Sequence, residues 1–218
     1  MSVKHYITTK DFLHYGSIFE NIKNNEILKT ELAEYGYDEV ELAKGKALYD
    51  TAAQKIDANK TETTEEKLAY DKFSQKFEEL KKAYTTDRKK TKIIYKEDER
   101  TLSALGVKGV ASLRINQILD NADTLYKQLK SNEDLRKPLE RLKINEGYLD
   151  TQIALLEEVK TLYQAYTKEK GESQQATKDK DQALANLEKW VREFYAIAKI
   201  ALEDKPQLLE SVSKFVKS

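Results

Sequence analysis

The residues that most often carry chemistry in proteins are sparse in this chain. It has no cysteine and two histidines, His5 and His14, nine residues apart. Di-iron helical bundles need inward-facing glutamates together with Glu-x-x-His pairs on long helices, and neither histidine stands in such a pair. We therefore predict that both histidines lie at the surface or terminus and that they bind no metal.

Adjacent carboxylates are the next candidates for acid–base chemistry, at Glu78-Glu79 and Glu157-Glu158. Catalysis by two carboxyl groups needs pKa values that burial or close neighbours push apart. Here lysines are interleaved at spacings typical of solvated i,i+4 pairs. Glycine-rich phosphate and dinucleotide motifs and the G-x-S-x-G motif are absent from the sequence. We predict no enzyme: no catalytic residue, no cofactor and no metal site, with oxygen-only metal binding or a carboxylate–tyrosine site left open.

One local charge excess occurs at residues 81–96, where seven basic residues accompany one aspartate and two tyrosines, Tyr84 and Tyr95. Basic residues interleaved with aromatics can hold nucleic acid or anionic lipid. Cations also suit the C-terminal half of a solvated helix, and this is the interpretation we prefer. Lys+Arg and Asp+Glu both total 38, which argues against nucleic acid as a partner. The candidate anion contacts are Lys81, Lys82, Arg88, Lys89, Lys90 and Lys92.

Composition predicts the fold class. Charged residues reach 35%, and only 7 glycines and 2 prolines occur in 218 residues, which is typical of long helices with solvated outer faces. The N-terminus lacks the apolar region of a signal peptide, and no apolar run approaches the ~20 residues of a membrane span. We expect a soluble, cytoplasmic, all-α protein without a membrane span.

The chain repeats itself at an offset of 107 residues. Apolar positions align with apolar positions and caps with caps, so we predict a first helical repeat at 1–107 and a second at 108–218 within one joint domain. The seam is LGVKGV, residues 105–110, where two glycines interrupt the helical pattern. Examples of matching pairs are Asn25/Asn132, Leu28/Leu135, Leu32/Leu139, Asp38/Asn145 and Leu80/Leu187.

The sequence pattern of each repeat predicts the same succession of helices. Hydrophobic periodicity and capping residues indicate helices near 10–24, 26–35, 39–59 and 63–96, then near 111–130, 133–143, 146–169 and 173–203. The breaks between long helices rest on a capping box, Thr63 with Glu66, and on the turn KEKGES at 168–173. The expected fold is an internally duplicated four-long-helix bundle built from two helical hairpins, with short accessory helices.

The C-terminal run W-x3-F-x2-I-A-x-I-A-L-E-D-x-P-Q-L-L-E, from Trp190 to Glu210, resembles the ending of an uncharacterised bacterial family of helical repeat proteins from Bacteroidetes and cyanobacteria. The L-G-x-x-G seam at Leu105 resembles that family too. Its members often carry basic residues after the seam, where this chain has Val110-Ala111-Ser112. The resemblance implies a helical repeat fold and no activity. The motif residues, which we expect in the core, are Trp190, Phe194, Ile197, Leu202, Pro206, Leu208 and Leu209.

These patterns favour a non-enzymatic helical scaffold that acts through surface contacts, as a homo-oligomer or with a protein partner. The thirteen tyrosines fit such an interface. A second hypothesis is a carrier of a small apolar ligand or lipid between the long helices, where Ala183, Ala198 and Ala201 suggest room. A third is weak anion or nucleic-acid binding through residues 81–96.

Overall fold

A computed structural model describes residues 7–212, and over that range the chain forms eight α-helices and no strand. The all-α prediction is confirmed. The helices are α1 (Thr9–Lys23), α2 (Glu26–Glu34), α3 (Glu39–Ile94), α4 (Glu99–Ala104), α5 (Ile115–Ser131), α6 (Glu133–Glu140), α7 (Glu146–Ala201) and α8 (Pro206–Val212).

Asparagine and aspartate caps begin several of these helices, as their positions in the sequence predict. Asn25 accepts a hydrogen bond from the Leu28 amide at 3.1 Å, and Asn132 accepts one from the Leu135 amide at 3.2 Å. Asp38 caps α3 in the same way, through the Glu41 amide at 2.9 Å. Each cap satisfies one of the backbone donors that a helix leaves free at its start.

The prediction of four long helices is wrong, because α3 and α7 each continue for 56 residues. Thr63 does not cap a new helix. Its hydroxyl donates to the Asn59 carbonyl at 2.7 Å, a bond that a threonine inside a helix can make. Gly171 lies within α7, and apart from neighbouring residues and backbone of the same helix no described atom would lie within 4 Å of a Cβ at this position. A single glycine costs a helix only about 1 kcal/mol, too little to end a helix with strong helix formers on both sides.

The chain divides into two compact units that do not coincide with its two sequence halves. The first unit comprises Met1–Thr63 and Glu172–Ser218, and the second comprises Thr64–Gly171. Each unit therefore contains residues from both predicted repeats. Residues 39–63 of α3 belong to the first unit and residues 64–94 to the second, and α7 is divided similarly.

Each unit has its own apolar core. In the first unit α1, α2, α8 and the adjoining parts of α3 and α7 bury an aromatic-rich cluster that contains Phe19, Tyr37, Trp190 and Phe194. In the second unit the core is formed mainly by leucines, valines and isoleucines, around the fully buried ring of Tyr126.

Candidate functional site

The first unit has a groove of about 800 Å³ between α1, α2 and the first turns of α3. Phe19 and Ile22 of α1, Leu42 of α3 and Tyr37, which precedes α3, supply its apolar lining. Two exposed alanines, Ala33 and Ala43, leave it open. The charged residues around it are Glu20, Lys23, Glu26, Lys29, Glu39 and Lys46.

A helix-ending motif places Tyr37 in this groove. Gly36 adopts a φ of +89°, a left-handed conformation that glycine takes without the steric penalty of a side chain. The amide of Gly36 then bonds to the Ala33 carbonyl at 3.1 Å, and the amide of Tyr37 bonds to the Leu32 carbonyl at 3.0 Å. This Schellman arrangement ends α2 and turns the Tyr37 ring onto buried Leu32 and its neighbours.

Stacked aromatic rings fix the groove wall from behind. Tyr37 meets Trp190 and Phe194 edge-on, with ring centroids 5.6 and 5.3 Å apart. Phe19 stacks on Trp190 at 5.5 Å, and the indole N–H donates to Glu41 at 2.9 Å. Burial, followed by the nearby Glu193 and Glu41 charges, raises the pKa of Tyr37 to about 12. The Tyr37 ring is thus a neutral, tightly packed wall at ordinary pH.

The rim of the groove carries both charge signs in equal number. Lys29 pairs with Glu26 at 2.5 Å. Glu20, Lys23 and Glu39 make no ion pair with any residue that the structure describes. An apolar floor with a rim of balanced, partly unpaired charge suits an amphipathic helix better than a highly charged ligand.

The C-terminal motif residues lie mainly inside the first unit. Trp190, Phe194 and Leu202 are buried. Ile197, Leu208 and Leu209 are half-buried against the same cluster, and Pro206 is exposed at the start of α8. Three alanines that suggested a cavity between the long helices, Ala183, Ala198 and Ala201, are buried in this core. The groove lies elsewhere, against α1 and α2.

The candidate anion contacts of residues 81–96 do not converge on one site. Most of their side chains bind groups of the chain itself. Arg88 and Lys92 both donate to the Gly109 carbonyl, Lys81 pairs with Glu78 and Lys90 pairs with Asp87. Lys82 and Lys89 are exposed.

Sequence reasoning missed a buried polar cluster around Asp87 in the second unit. This side chain is fully buried, and its Oδ2 accepts hydrogen bonds from the hydroxyls of Tyr126 at 3.2 Å and Tyr148 at 2.7 Å. Burial first, and the Asp87 carboxylate second, raise the pKa of both phenols. A signal was present, because Asp87 shares a helical face with Tyr84 and Thr91, at spacings of three and four residues.

Beside this cluster the Tyr84 hydroxyl is buried and makes no hydrogen bond to a described residue. Burial raises its pKa, although Arg88 and Asn121 lie near enough to oppose that shift. The cluster therefore consists of neutral phenols, those of Tyr126 and Tyr148, that donate hydrogen bonds to the Asp87 carboxylate. Phenols that stay protonated can donate to Asp87 over the whole physiological range, which makes the cluster a structural polar core.

Among the described residues, His14 belongs to no group of three or more potential metal ligands. His14 lies on α1, with its Nδ1 3.4 Å from the Ser17 hydroxyl. His5 lies outside the described residues.

Comparison with known proteins identifies no relative of this chain. No protein-family model matches the chain, and neither a curated protein nor a solved structure matches it. Within residues 7–212, none of the helices combines the length and the apolar character that crossing a membrane requires. A function must therefore be inferred from the surfaces of the two units themselves.

Proposed function

We propose that this protein is a non-enzymatic helical interaction protein that self-associates, and that the groove of the first unit receives an amphipathic helix from a second copy. The observation that carries the proposal is the groove itself, with its apolar floor and its rim of three glutamates and three lysines. Amphipathic helices dock by laying an apolar stripe into such grooves, with charges along both edges.

Charge favours a second copy as the occupant. The helices of this chain carry both signs interleaved, and the whole chain has no net formal charge. Two copies therefore do not repel each other at long range. A strongly acidic or basic helix would meet one repulsive charge on this rim for each attractive one, and so gains little from it.

Internal duplication is part of the same proposal. The starts of α2 and α6, and those of α3 and α7, are 107 residues apart, and both long helices have 56 residues. A single helical unit of this kind could complete its core by pairing with a second copy, and a duplicated chain carries both copies. The resemblance to a bacterial helical repeat family belongs to this proposal too.

Light scattering over about a hundredfold dilution tests self-association. We expect a defined oligomer that dissociates on dilution. Ala43→Glu places a carboxylate in the groove at an exposed helical position, and it should weaken association by at least about tenfold, since a buried unpaired charge is costly. Ala154→Glu, at an exposed position of α7 in the second unit, is the matched control and should associate normally.

Two results would contradict the proposal. The first is a monomer at every concentration. The second is an oligomer that Ala43→Glu and Ala154→Glu leave equally intact, because the groove would then not be the interface.

The volume of the groove favours a second candidate, a carrier of a small apolar ligand, because about 800 Å³ lies within the range of small-molecule sites. Native mass spectrometry of the purified chain distinguishes the two. A carrier would appear as a monomer with the additional mass of a bound ligand, and Ala43→Glu would abolish that additional mass. A self-associating protein shows multiples of the chain mass and no additional ligand.

A further inference from the structure

The connection between α4 and α5 displays two large apolar side chains to solvent. We call residues 105–114 the seam segment. Val110 is 97% exposed and Leu113 is 92% exposed, the highest values for large hydrophobic residues in the part of the chain that the structure describes. Single exposed hydrophobic residues are ordinary, but two nearly complete exposures three residues apart on one connection require an explanation.

The seam segment is anchored, so these exposures do not come from a loose chain. Leu105 and Val107 are fully buried in the core of the second unit. The Gly109 carbonyl accepts hydrogen bonds from Arg88 Nη2 at 2.6 Å and Lys92 Nζ at 3.0 Å. Gly109 has a φ of +75°, which turns the chain at the clamp. Local structure therefore holds Val110 outward.

Basic residues lie next to this tip, because Arg88 and Lys92 contact Gly109 and because Lys108 and Arg114 belong to the seam segment itself. Residues 88–114 contain eight basic and three acidic residues, a surplus of five in a chain whose net charge is zero. Lys89 and Arg114 are exposed and make no ion pair with any described residue. Lys108 pairs with Glu99 at 2.8 Å. The apolar tip therefore belongs to a stretch of chain with a surplus of positive charge, and two of its basic side chains contact the neighbouring Gly109.

We propose that the seam segment docks the protein on the surface of an anionic lipid bilayer, with Val110 and Leu113 inserted at the boundary between headgroups and acyl chains. Isolated apolar side chains on a convex tip, with basic residues around them, can bury apolar area in lipid and attract anionic headgroups together. This site is separate from the groove and does not depend on self-association.

Nucleic acids and proteins fit the exposed apolar side chains and the basic residues of the seam segment less well than a bilayer does. Nucleic acid gains from the basic residues but has no place for two projecting aliphatic side chains. A stable protein interface needs roughly 20–30 residues a side, far more than one convex tip offers. A bilayer has no fixed shape to match, so it accepts a projecting tip.

Vesicle flotation tests the proposal, with phosphatidylcholine vesicles prepared with and without phosphatidylserine. The protein should float only with the anionic vesicles, and high salt should release it. Val110→Ser with Leu113→Ser should reduce partitioning at least about tenfold. Lys89→Gln with Arg114→Gln should reduce it about 25-fold, at about fivefold for each basic residue near an anionic surface. The control, Leu13→Ser with Val40→Ser, removes two exposed apolar residues from the first unit and should bind normally.

Insertion itself can be measured because the chain has no cysteine. Val110→Cys then provides a single attachment point for an environment-sensitive fluorophore. Its emission should shift to the blue with anionic vesicles, and the same dye on Val40→Cys should not respond.

Three results would overturn the proposal: no flotation, equal flotation with neutral vesicles, or flotation without a shift at position 110. The protein could instead bind soluble polyglutamate or DNA more strongly than vesicles, and Val110→Ser with Leu113→Ser could leave that binding unchanged. That result would also overturn the proposal, because the basic residues would then bind an acidic polypeptide or a nucleic acid.

Discussion

Gly45→Ala is the sharpest single test of how the aromatic wall is built. Gly45 lies within α3, and a Cβ built on it would lie 2.5 Å from Cη2 and 2.6 Å from Cε2 of Trp190. Carbon atoms pack at about 3.5–4.0 Å. The indole would therefore have to move by roughly 1 Å, unless α3 moved instead.

The ring has little freedom to make that move. Phe19 and Phe194 stack on it at centroid distances of 5.5 and 5.4 Å, and Tyr37 closes one edge. Adding a methyl group to a packed core costs about 1–3 kcal/mol. Replacing a helical glycine with alanine stabilises the helix by about 1 kcal/mol. Since three aromatic rings pack against the indole, we place the cost near its upper end and expect a net loss of about 1–2 kcal/mol in the free energy of unfolding.

Gly171→Ala is the matched control, because Gly171 lies inside α7 and, apart from neighbouring residues and backbone of the same helix, no described atom would lie within 4 Å of an added Cβ. This variant should become more stable by about 0.5–1 kcal/mol. Urea unfolding followed by circular dichroism measures both variants, and emission from Trp190, the single tryptophan, reports on the first unit. If Gly45→Ala matched or exceeded the stability of the wild type, the close approach of Trp190 to α3 would be refuted.

Five further substitutions test the polar cluster, a shifted pKa and a helix cap. Asp87→Ala leaves the hydroxyls of Tyr126 and Tyr148 buried without their acceptor and should cost about 2–5 kcal/mol in urea unfolding. Tyr148→Phe removes one donor and should cost about 1 kcal/mol; equal losses would show that the cluster is not organised around the carboxylate. The Tyr37 pKa of about 12 exceeds the ordinary value near 10, so its stabilising contribution is complete below pH ~10 and is lost as pH rises towards 12. The melting temperature should therefore fall less steeply between pH ~10 and ~12 in Tyr37→Phe than in the wild type. Parallel plots of melting temperature against pH would contradict the raised pKa. Asn132→Ala removes the α6 cap and should cost about 1 kcal/mol, whereas Asn132→Asp, an equally good cap, should not; an equal loss in both would show that the cap is not the cause.

Helix starts were predictable because capping is a local interaction. Asn25, Asp38 and Asn132 each bond to a backbone amide three residues ahead, and no distant part of the chain is needed for that bond. The same locality explains why α2 and α3 begin where the sequence predicts, at 26 and 39.

Helix continuation was less predictable, because local signals at residues 63 and 171 were compatible with two outcomes. A threonine can cap a helix or bond back to a carbonyl within one. Thr63 does the latter, on Asn59. Which outcome prevails is decided by packing on each side of the residue, and that is a property of the folded chain.

Neither candidate surface was predictable as a site. The groove joins residues of α1, α2 and α3 that are individually ordinary apolar or charged residues. The exposure of Val110 could not be distinguished from burial, since the nearby Val107 is fully buried. For Asp87 the local sequence shows a shared helical face with Tyr84 and Thr91, but not the tyrosines that bind it. Its role depends on Tyr148, 61 residues away, and no local pattern reports such a contact.

The two surfaces should respond oppositely to salt, and this follows from how each is built. Both are pre-organised, the groove by the turn at Gly36 and the seam segment by the Gly109 clamp, so neither has to pay much ordering entropy on binding. The groove rim balances its charges, and association there rests on apolar burial, which salt does not screen. The seam segment depends on a surplus of five positive charges over residues 88–114, and salt screens that attraction. Raising the salt concentration should therefore release the protein from anionic vesicles while its oligomers persist. If oligomer and vesicle binding were lost together, both would depend on the same charged surface, and the groove would not be the site of self-association.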